Sequence, residues 1–330
     1  MTAKRGSRLS QADIAEKLGV SVSTVSRALS NEVGISTAVR QDVHQLARSL
    51  GYRSKRLATG AAGERVAAFV PLGGATSGLS GFYFGIIEGM RSAAAQSGIA
   101  LDVRLINESA VSLDVIRKQV EESGASALLL AGVEATAEIV AWSTAEDVPV
   151  ILVNGSDPQM RVSSVSPANF FGAYQATQRL LDAGHRKVLH YTHRSRPTIV
   201  QRRRGFEAAI ADAGASGIVI NGLDLPLPEL ARGLVAGDYD VTALFVWNDI
   251  AAVRLLEALG EGTRRYAMVG FDDLPIASMA TPRLSTMSVD REAIGVAAIR
   301  LLRLRMDGDR SVQQLEIGVG PVEGQTIFAI

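Results

Sequence analysis

The twenty residues from Ser10 to Leu29, SQADIAEKLGVSVSTVSRAL, constrain this chain more than any other stretch. Ser10 stands where a helix needs an N-cap, since its side-chain oxygen can accept from the first unpaired backbone N–H groups. Ile14, Ala15 and Leu18 then share one apolar face. Gly19 follows where the helix must end in a left-handed residue, a conformation that costs glycine almost nothing. Ser21 is a second candidate cap, and Val25, Ala28 and Leu29 give the next helix its inward face. Two helices joined by so tight a turn bury little alone. After Ser36 or Thr37, however, Val39, Val43, Leu46, Ala47 and Leu50 repeat at helical spacing until Gly51. The pattern predicts a helix-turn-helix with its supporting helix. Any three-helix bundle shares that spacing, so the outward residues have to decide.

Val22, Ser23, Thr24, Ser26 and Arg27 face away from the predicted core at the start of the second helix. They are short, include no acid, and carry one long fork-shaped cation. A helix entering the major groove needs small side chains for close approach, hydroxyls for phosphates, an apolar group for a thymine methyl and arginine for guanine O6 and N7. Val22, Ser23 and Arg27 are therefore the expected base readers. Ser10, Gln11, Ser21, Thr24, Ser26 and Ser36 are the expected phosphate or sugar contacts.

The net charge of the 330 residues is zero, which at first argues against a nucleic-acid partner. Residues 1–60, however, hold ten Lys or Arg against four Asp or Glu, a net +6, and the remainder holds 24 against 30, a net −6. A basic head on an acidic body favours a head lying on phosphates with the body held off. With no cysteine in the chain, disulfides, thiolate metal sites and cysteine nucleophiles are excluded. No apolar run approaches the ~18–20 residues that span a bilayer. The N-terminus MTAKRGSRLSQ lacks the apolar centre of a signal peptide. The expectation is a soluble cytoplasmic protein without a membrane partner.

From Val66 the pattern changes to short buried apolar runs alternating with amphipathic ones. Residues 66–70, 100–106, 127–131 and 148–153 read as strands, with helices at 84–97, 111–123 and 136–144 between them. A second series follows, with strands at 187–191, 217–220, 243–246 and 266–271 and helices at 168–183, 199–213, 228–236 and 250–259. A strongly apolar helix spans 291–306. Runs apolar on both faces and separated by helices predict parallel sheets covered on both sides, an α/β class with two doubly wound lobes. The segment 73–81, GGATSGLSG, has phosphate-loop glycine spacing, but Leu79 stands where the essential lysine belongs. It reads as a loop at the lip of a cleft.

Several stretches together resemble the LacI/GalR family of bacterial transcription regulators. GVSVSTVSRALS and LGYRSKR resemble that family's DNA-binding head. AGHRKVLHYT (183–192), RRRGFEAAI (202–210), WNDIAAVRLL (247–256) and VGFDDLPIASMATPRLSTM (269–287) resemble its effector-binding core. The resemblance covers nearly the whole chain. It implies a helix-turn-helix head at 1–52, a hinge at 53–64 and a periplasmic-binding-protein-like body at 65–330. The body's N-lobe would comprise about 65–165 plus 291–320, and its C-lobe about 166–288 plus 321–330. It also implies a hinge helix that orders in the minor groove, where Ala58 matches a usual alanine. Ser54 and Lys55 stand where proline and asparagine are common, and Ala61 replaces the expected wedging leucine. Lys55 and Arg56 are then expected on the minor-groove backbone, with Leu57 partly replacing the wedge.

In doubly wound sheets ligands lie beyond the carboxyl ends of the strands. That position singles out Trp247, Asn248 and Asp249, Asp272 and Asp273, Asn154 and Gly155, then Phe82, Tyr83 and Arg202. By the resemblance, Asp272 contacts effector and Arg202 clamps it, a fork suited to vicinal hydroxyls or a carboxylate. Asn248 can donate and accept, which suits a polyhydroxylated ligand. Phe82, Tyr83 and Trp247 fit either a sugar-ring face or ordinary core packing. Asp249 reads as the cap of a helix starting at Ile250, and Asp273 as the cap of a short helix before Pro275. Asn154-Gly155 replaces an Asp-Arg pair frequent in the family, and Ala168-Asn169 a common Asp-Asn. The effector class is left at sugar, sugar acid or sugar phosphate.

The function expected is a ligand-responsive regulator, a repressor binding a palindromic operator as a homodimer. The effector could act with either sign. A solute-binding protein without DNA function shares the body but leaves the first 60 residues unexplained. An enzyme is disfavoured. None of His44, His185, His190 and His193 sits in a nucleophile elbow or a metal-binding spacing, and no cofactor or metal is expected.

Overall fold

The computed structural model describes residues 10–29, 35–36, 39–40, 42–43, 46, 64–71, 80–107, 111–193 and 196–330. The expected hinge contacts Lys55, Arg56, Leu57 and Ala58, and most of the glycine-rich loop at 73–81, lie outside those residues. The chain divides into two compact units, 1–64 and 65–330.

In the first unit, α1 (Gln11–Leu18) begins at Ser10, whose hydroxyl accepts from the Asp13 amide while the Asp13 carboxylate accepts from the Ser10 amide. This reciprocal capping box satisfies two donors that the first turn would otherwise leave open. Gly19 closes the helix at φ 65°. Helix α2 (Val22–Leu29) starts after Ser21, whose hydroxyl accepts from the Thr24 amide at 3.0 Å. Val39, Arg40, Asp42, Val43 and Leu46 are helical, and Ser36 accepts from the Val39 amide at their start. Ile14, Ala15, Val25, Ala28 and Val43 bury together, with Leu18, Val39 and Leu46 packed around them.

The second unit holds two parallel sheets. The first has the order β11-β5-β4-β3-β1-β2, built from β1 (Glu64–Pro71), β2 (Ile99–Ile106), β3 (Ala127–Ala131), β4 (Val150–Val153), β5 (Ser163–Pro167) and β11 (Gln314–Ile317). Strand β1 buries Val66, Ala68 and Val70 on one face, and Ala67 and Phe69 on the other. That explains why its sequence reads as a continuous apolar run. Helices α3 (Ser80–Gln96), α4 (Leu113–Ser123) and α5 (Ala137–Ala145) connect the strands. The second sheet, β7-β6-β8-β9, contains β6 (Lys187–Thr192), β7 (Ser216–Asn221), β8 (Ala243–Val246) and β9 (Ala267–Val269). Its helices are α6 (Asn169–Asp182), α7 (Pro197–Asp212), α8 (Leu227–Ala236), α9 (Asp249–Leu259) and the short α10 (Pro275–Met279).

The chain passes between the sheets three times. Strand β5 ends at Pro167 in the first sheet, and α6 begins two residues later against α7 of the second. Strand β10 (Thr286–Val289) bridges to the second sheet, through Val269 with Ser285 and Asp272 with Ser288. Helix α11 (Arg291–Met306) then packs on α3. After β11, strand β12 (Val319–Val322) pairs antiparallel with β10, and Thr326 bonds Met268 of β9. Helices α3 and α11 approach so closely that a methyl on Gly89 would overlap the Glu292 carbonyl, and one on Gly295 the Ile86 carbonyl.

The structure departs from the sequence expectations at four places. Helix α3 starts at Ser80 rather than Phe84, because its glycines serve close packing against α11 and do not interrupt the helix. Strand β5, SSVSP, is missing from the expected strands because its buried residues are mainly serines; the Ser163 hydroxyl accepts from the Gln313 amide. Asp249 does not cap α9. Asn248 does, accepting from the Ala251 amide at 2.8 Å. Asp273 caps nothing, since the residue before α10 is Leu274, with no side-chain cap.

Candidate functional site

The first candidate surface is the outer face of α2. Packing of Val25 and Ala28 inward turns Val22, Ser23 and Arg27 outward, where all three are exposed, with Val22 at 48%. Thr24 and Ser26 lie partly buried beside them, and Gln11 is partly buried on α1. Ser21 is exposed, and its hydroxyl is within 2.7 Å of both the Ser23 and Thr24 hydroxyls. Three of the expected phosphate contacts thus have structural duties as well. Ser10, Ser21 and Ser36 each cap a helix, and a backbone phosphate would meet hydroxyls already aimed at helix N-termini, a favourable setting for an anion.

The second lies in the body, around Arg202 on α7. Arg202 is 4% exposed, and its guanidinium is spoken for on every side. Nε donates to Asn169 Oδ1 at 2.8 Å, one Nη to the Trp247 carbonyl, and the other to Asp272 Oδ1 at 3.2 Å. The guanidinium carbon lies 3.7 Å above the Phe271 ring. Burial pushes the Asp272 carboxyl up to about 6, and the Arg202 charge and hydrogen bond oppose that rise. Asp249 is fully buried, accepting from the Leu274 amide at 2.7 Å and from the Thr286 hydroxyl. Burial raises its carboxyl well above the usual range, and the Asp272 charge adds to the rise. Asp249 therefore ties the 272–274 turn to α9 and the crossing strand β10.

The structure brings Arg202, Asp272 and the Trp247 carbonyl together, as their positions after strands require. It separates others. Phe82 and Tyr83 are buried on the first turns of α3, packed edge-to-face at 5.4 Å within the core of the first lobe. The Tyr83 hydroxyl does accept from Asn154 Nδ2 at 3.3 Å. The Asn248 oxygen accepts at the cap of α9 and the residue is 2% exposed; its amide N–H groups make no part of that cap. The Trp247 ring is half-buried and stacked on His193, centroids 5.6 Å apart at 20°. Asn169 stands in the sequence reading only as half of the Ala168-Asn169 pair, and His193 only among the histidines weighed for catalysis; neither is assigned to this site there. Asn169 is placed by β5, which polar composition concealed, and His193 had no catalytic neighbour to draw attention to it.

Comparison with known proteins fits this geometry. Residues 12–55 match the model for bacterial regulatory proteins of the lacI family, and residues 177–327 match a periplasmic binding protein-like domain. The chain is 28% identical over 309 residues to the HTH-type transcriptional regulator GntR of Pseudomonas aeruginosa, covering 88% of each chain. Two solved structures share the fold. A transcriptional regulator CelR–cellobiose complex superposes with a TM-score of 0.71 at 23% identity, covering 97% of this chain and all of that one. A lac repressor dimer bound to operator and the anti-inducer ONPF gives 0.69 at 20% identity, over 98% and 100%.

A helix-turn-helix head and a periplasmic-binding-protein-like body in one chain define a DNA-binding transcription regulator, not an enzyme. More narrowly, residues 12–55 carry the DNA-binding domain of the lacI family of bacterial regulatory proteins. Among the described residues no helix is long and apolar enough to cross a membrane.

Proposed function

We propose that this regulator is a repressor whose paired heads read a roughly palindromic operator, and that a small carbohydrate-like metabolite controls it from the body. In this reading residues 1–52 are the head, 53–64 the hinge and 65–330 the effector-binding body. The observation that carries the reading is the outer face of α2, where Val22, Ser23 and Arg27 are exposed on a helix whose other side is locked by Val25 and Ala28. Val22 suits a thymine methyl and Arg27 a guanine edge. Ser10, Gln11, Ser21, Thr24, Ser26 and Ser36 are assigned to phosphate or sugar.

The effector reading draws support from Arg202 and Asp272, two buried opposite charges beyond the sheet ends with mutual hydrogen bonding that hydroxyls can share. Cellobiose in a structural neighbour supports a sugar, and sugar acids and sugar phosphates belong to the same class of candidate. Trp247, the Asn248 amide, Phe82 and Tyr83 remain assigned to the ligand, the last two buried to the same degree as Arg202 and Asp272. Effector would act through different affinities of the DNA-competent and DNA-incompetent states.

The test is a footprint on DNA flanking the protein's own gene, with and without a panel of sugars, sugar acids and sugar phosphates. Arg27→Ala should lose about 1–3 kcal/mol of discrimination at one base position while keeping salt-dependent binding. Asp272→Asn should keep the footprint and lose its response to the active compound. Equal affinity for all duplexes at low ionic strength would sink the reading.

A further inference from the structure

Asp272 and Asp273 have backbone φ angles of 114° and 52°. An aspartate in that region is strained, and the surrounding structure has to hold it there. Part of the hold comes from the crossing strand β10 and from α9. The Asp272 amide donates to the Met287 carbonyl at 2.9 Å, and the Leu274 amide to Asp249. The rest comes from the other lobe. Arg291, the first residue of α11, donates from one Nη to the Asp272 carbonyl at 2.6 Å and to the Asp273 carbonyl at 3.3 Å. Helix α11 lies on the first sheet and is packed against α3 through Gly89 and Gly295. The stem of Arg291 is itself fixed on α3, because a methyl on Gly85 would come within 2.9 Å of Arg291 Cβ.

We propose that Arg291 is a positioning residue. It holds the 272–273 turn in its left-handed conformation, so that the Asp272 carboxylate faces Arg202, and it fastens that turn of one lobe to the α3–α11 pair of the other. A single guanidinium nitrogen thus couples the acid–arginine pair to the packing of the first lobe. Any displacement of Asp272 must either carry α11 with it or break these two bonds. Calling the turn an effector loop rests on the function proposed above. The coupling itself does not.

The absence of cysteine permits a direct measurement on the full chain. Glu121 on α4 and Glu257 on α9 are exposed, one in each lobe, and Glu121→Cys with Glu257→Cys accepts a pair of spin labels. The native chain should give one narrow interlobe distance, and Arg291→Ala a broad distribution. In hydrogen exchange, Arg291→Ala should speed exchange in segment 270–275 by about tenfold while the β1–β3 pairing stays within about twofold. Because one nitrogen reaches both carbonyls, Arg291→Lys should restore most of the protection. The proposal is overturned by unchanged distances, by unchanged exchange at 270–275, by acceleration spread evenly over the body, or by a lysine variant as fast as the alanine one. Neither DNA nor ligand enters the measurement, so its failure is distinct from a failure of the functional reading.

Discussion

Asp272→Asn is expected to flatten the loss of body stability between about pH 4.5 and 7.5 while removing the response to effector. The Asp272 carboxyl is buried, and its folded value of about 6 stands above the ordinary 3.8. An acid whose folded value is raised contributes its stability fully below the unfolded value, and loses it as pH rises through the folded one. The gap corresponds to about 3 kcal/mol, lost between roughly pH 4 and pH 6 to 7. Asparagine resembles the protonated acid and does not titrate, so it is spared the loss. Its carbonyl oxygen can still accept from Arg202, which limits the damage to the guanidinium's hydrogen bonding. Urea unfolding of both proteins at pH 4.5, 6.0 and 7.5 isolates the effect. Other titrations in the body are common to the two and largely cancel in the difference. The variant should gain on the native protein by about 2 kcal/mol across that range. A flat difference, or a native protein that gains on the variant with rising pH, would mean that Arg202 outweighs burial. The reasoning about this pair would then be refuted.

His190 behaves in the opposite sense. Burial between Phe206 and Phe245 holds it down at about 4, so its stability is present above 6.5 and lost as pH falls towards 4; His190→Phe should flatten the acid limb of a pH–stability curve. Ser10→Ala removes the α1 capping box and should lower head stability by about 1 kcal/mol, read as an earlier thermal transition of the head. Gly295→Ala drives a methyl into the Ile86 carbonyl and should destabilise the body by about 1–3 kcal/mol in chemical denaturation.

What could be read from the residues alone depended on how local the physics was. The head's caps and turn were legible because Ser10, Gly19 and Ser21 act on backbone groups within three or four positions of themselves. The central strands were legible because burial on both faces makes runs such as ALLLA almost purely apolar. Strand β5 hid behind its serines, whose burial is tolerable only because distant partners such as Gln313 meet them. Within the site, Arg202 and Asp272 stood out by position, but their pairing at 3.2 Å depends on side chains 70 residues apart. The choice between Asn248 and Asp249 as cap went the other way for a similar reason. Asp249 is claimed by Leu274 and Thr286, contacts no helix-capping rule contains. Arg291 gave no signal, since its partners are main-chain carbonyls on another element.

The threefold passage of the chain between its two sheets has a bearing on how this regulator can be taken apart. A fragment cut at residue 168 would lack the edge strand β11 and the covering helix α11, both supplied from beyond residue 290. Neither half of the body is therefore a transferable part. The head is one unbroken run ending before Arg65, so grafting it onto a foreign sensor, or a foreign head onto this one, severs the chain at a single point.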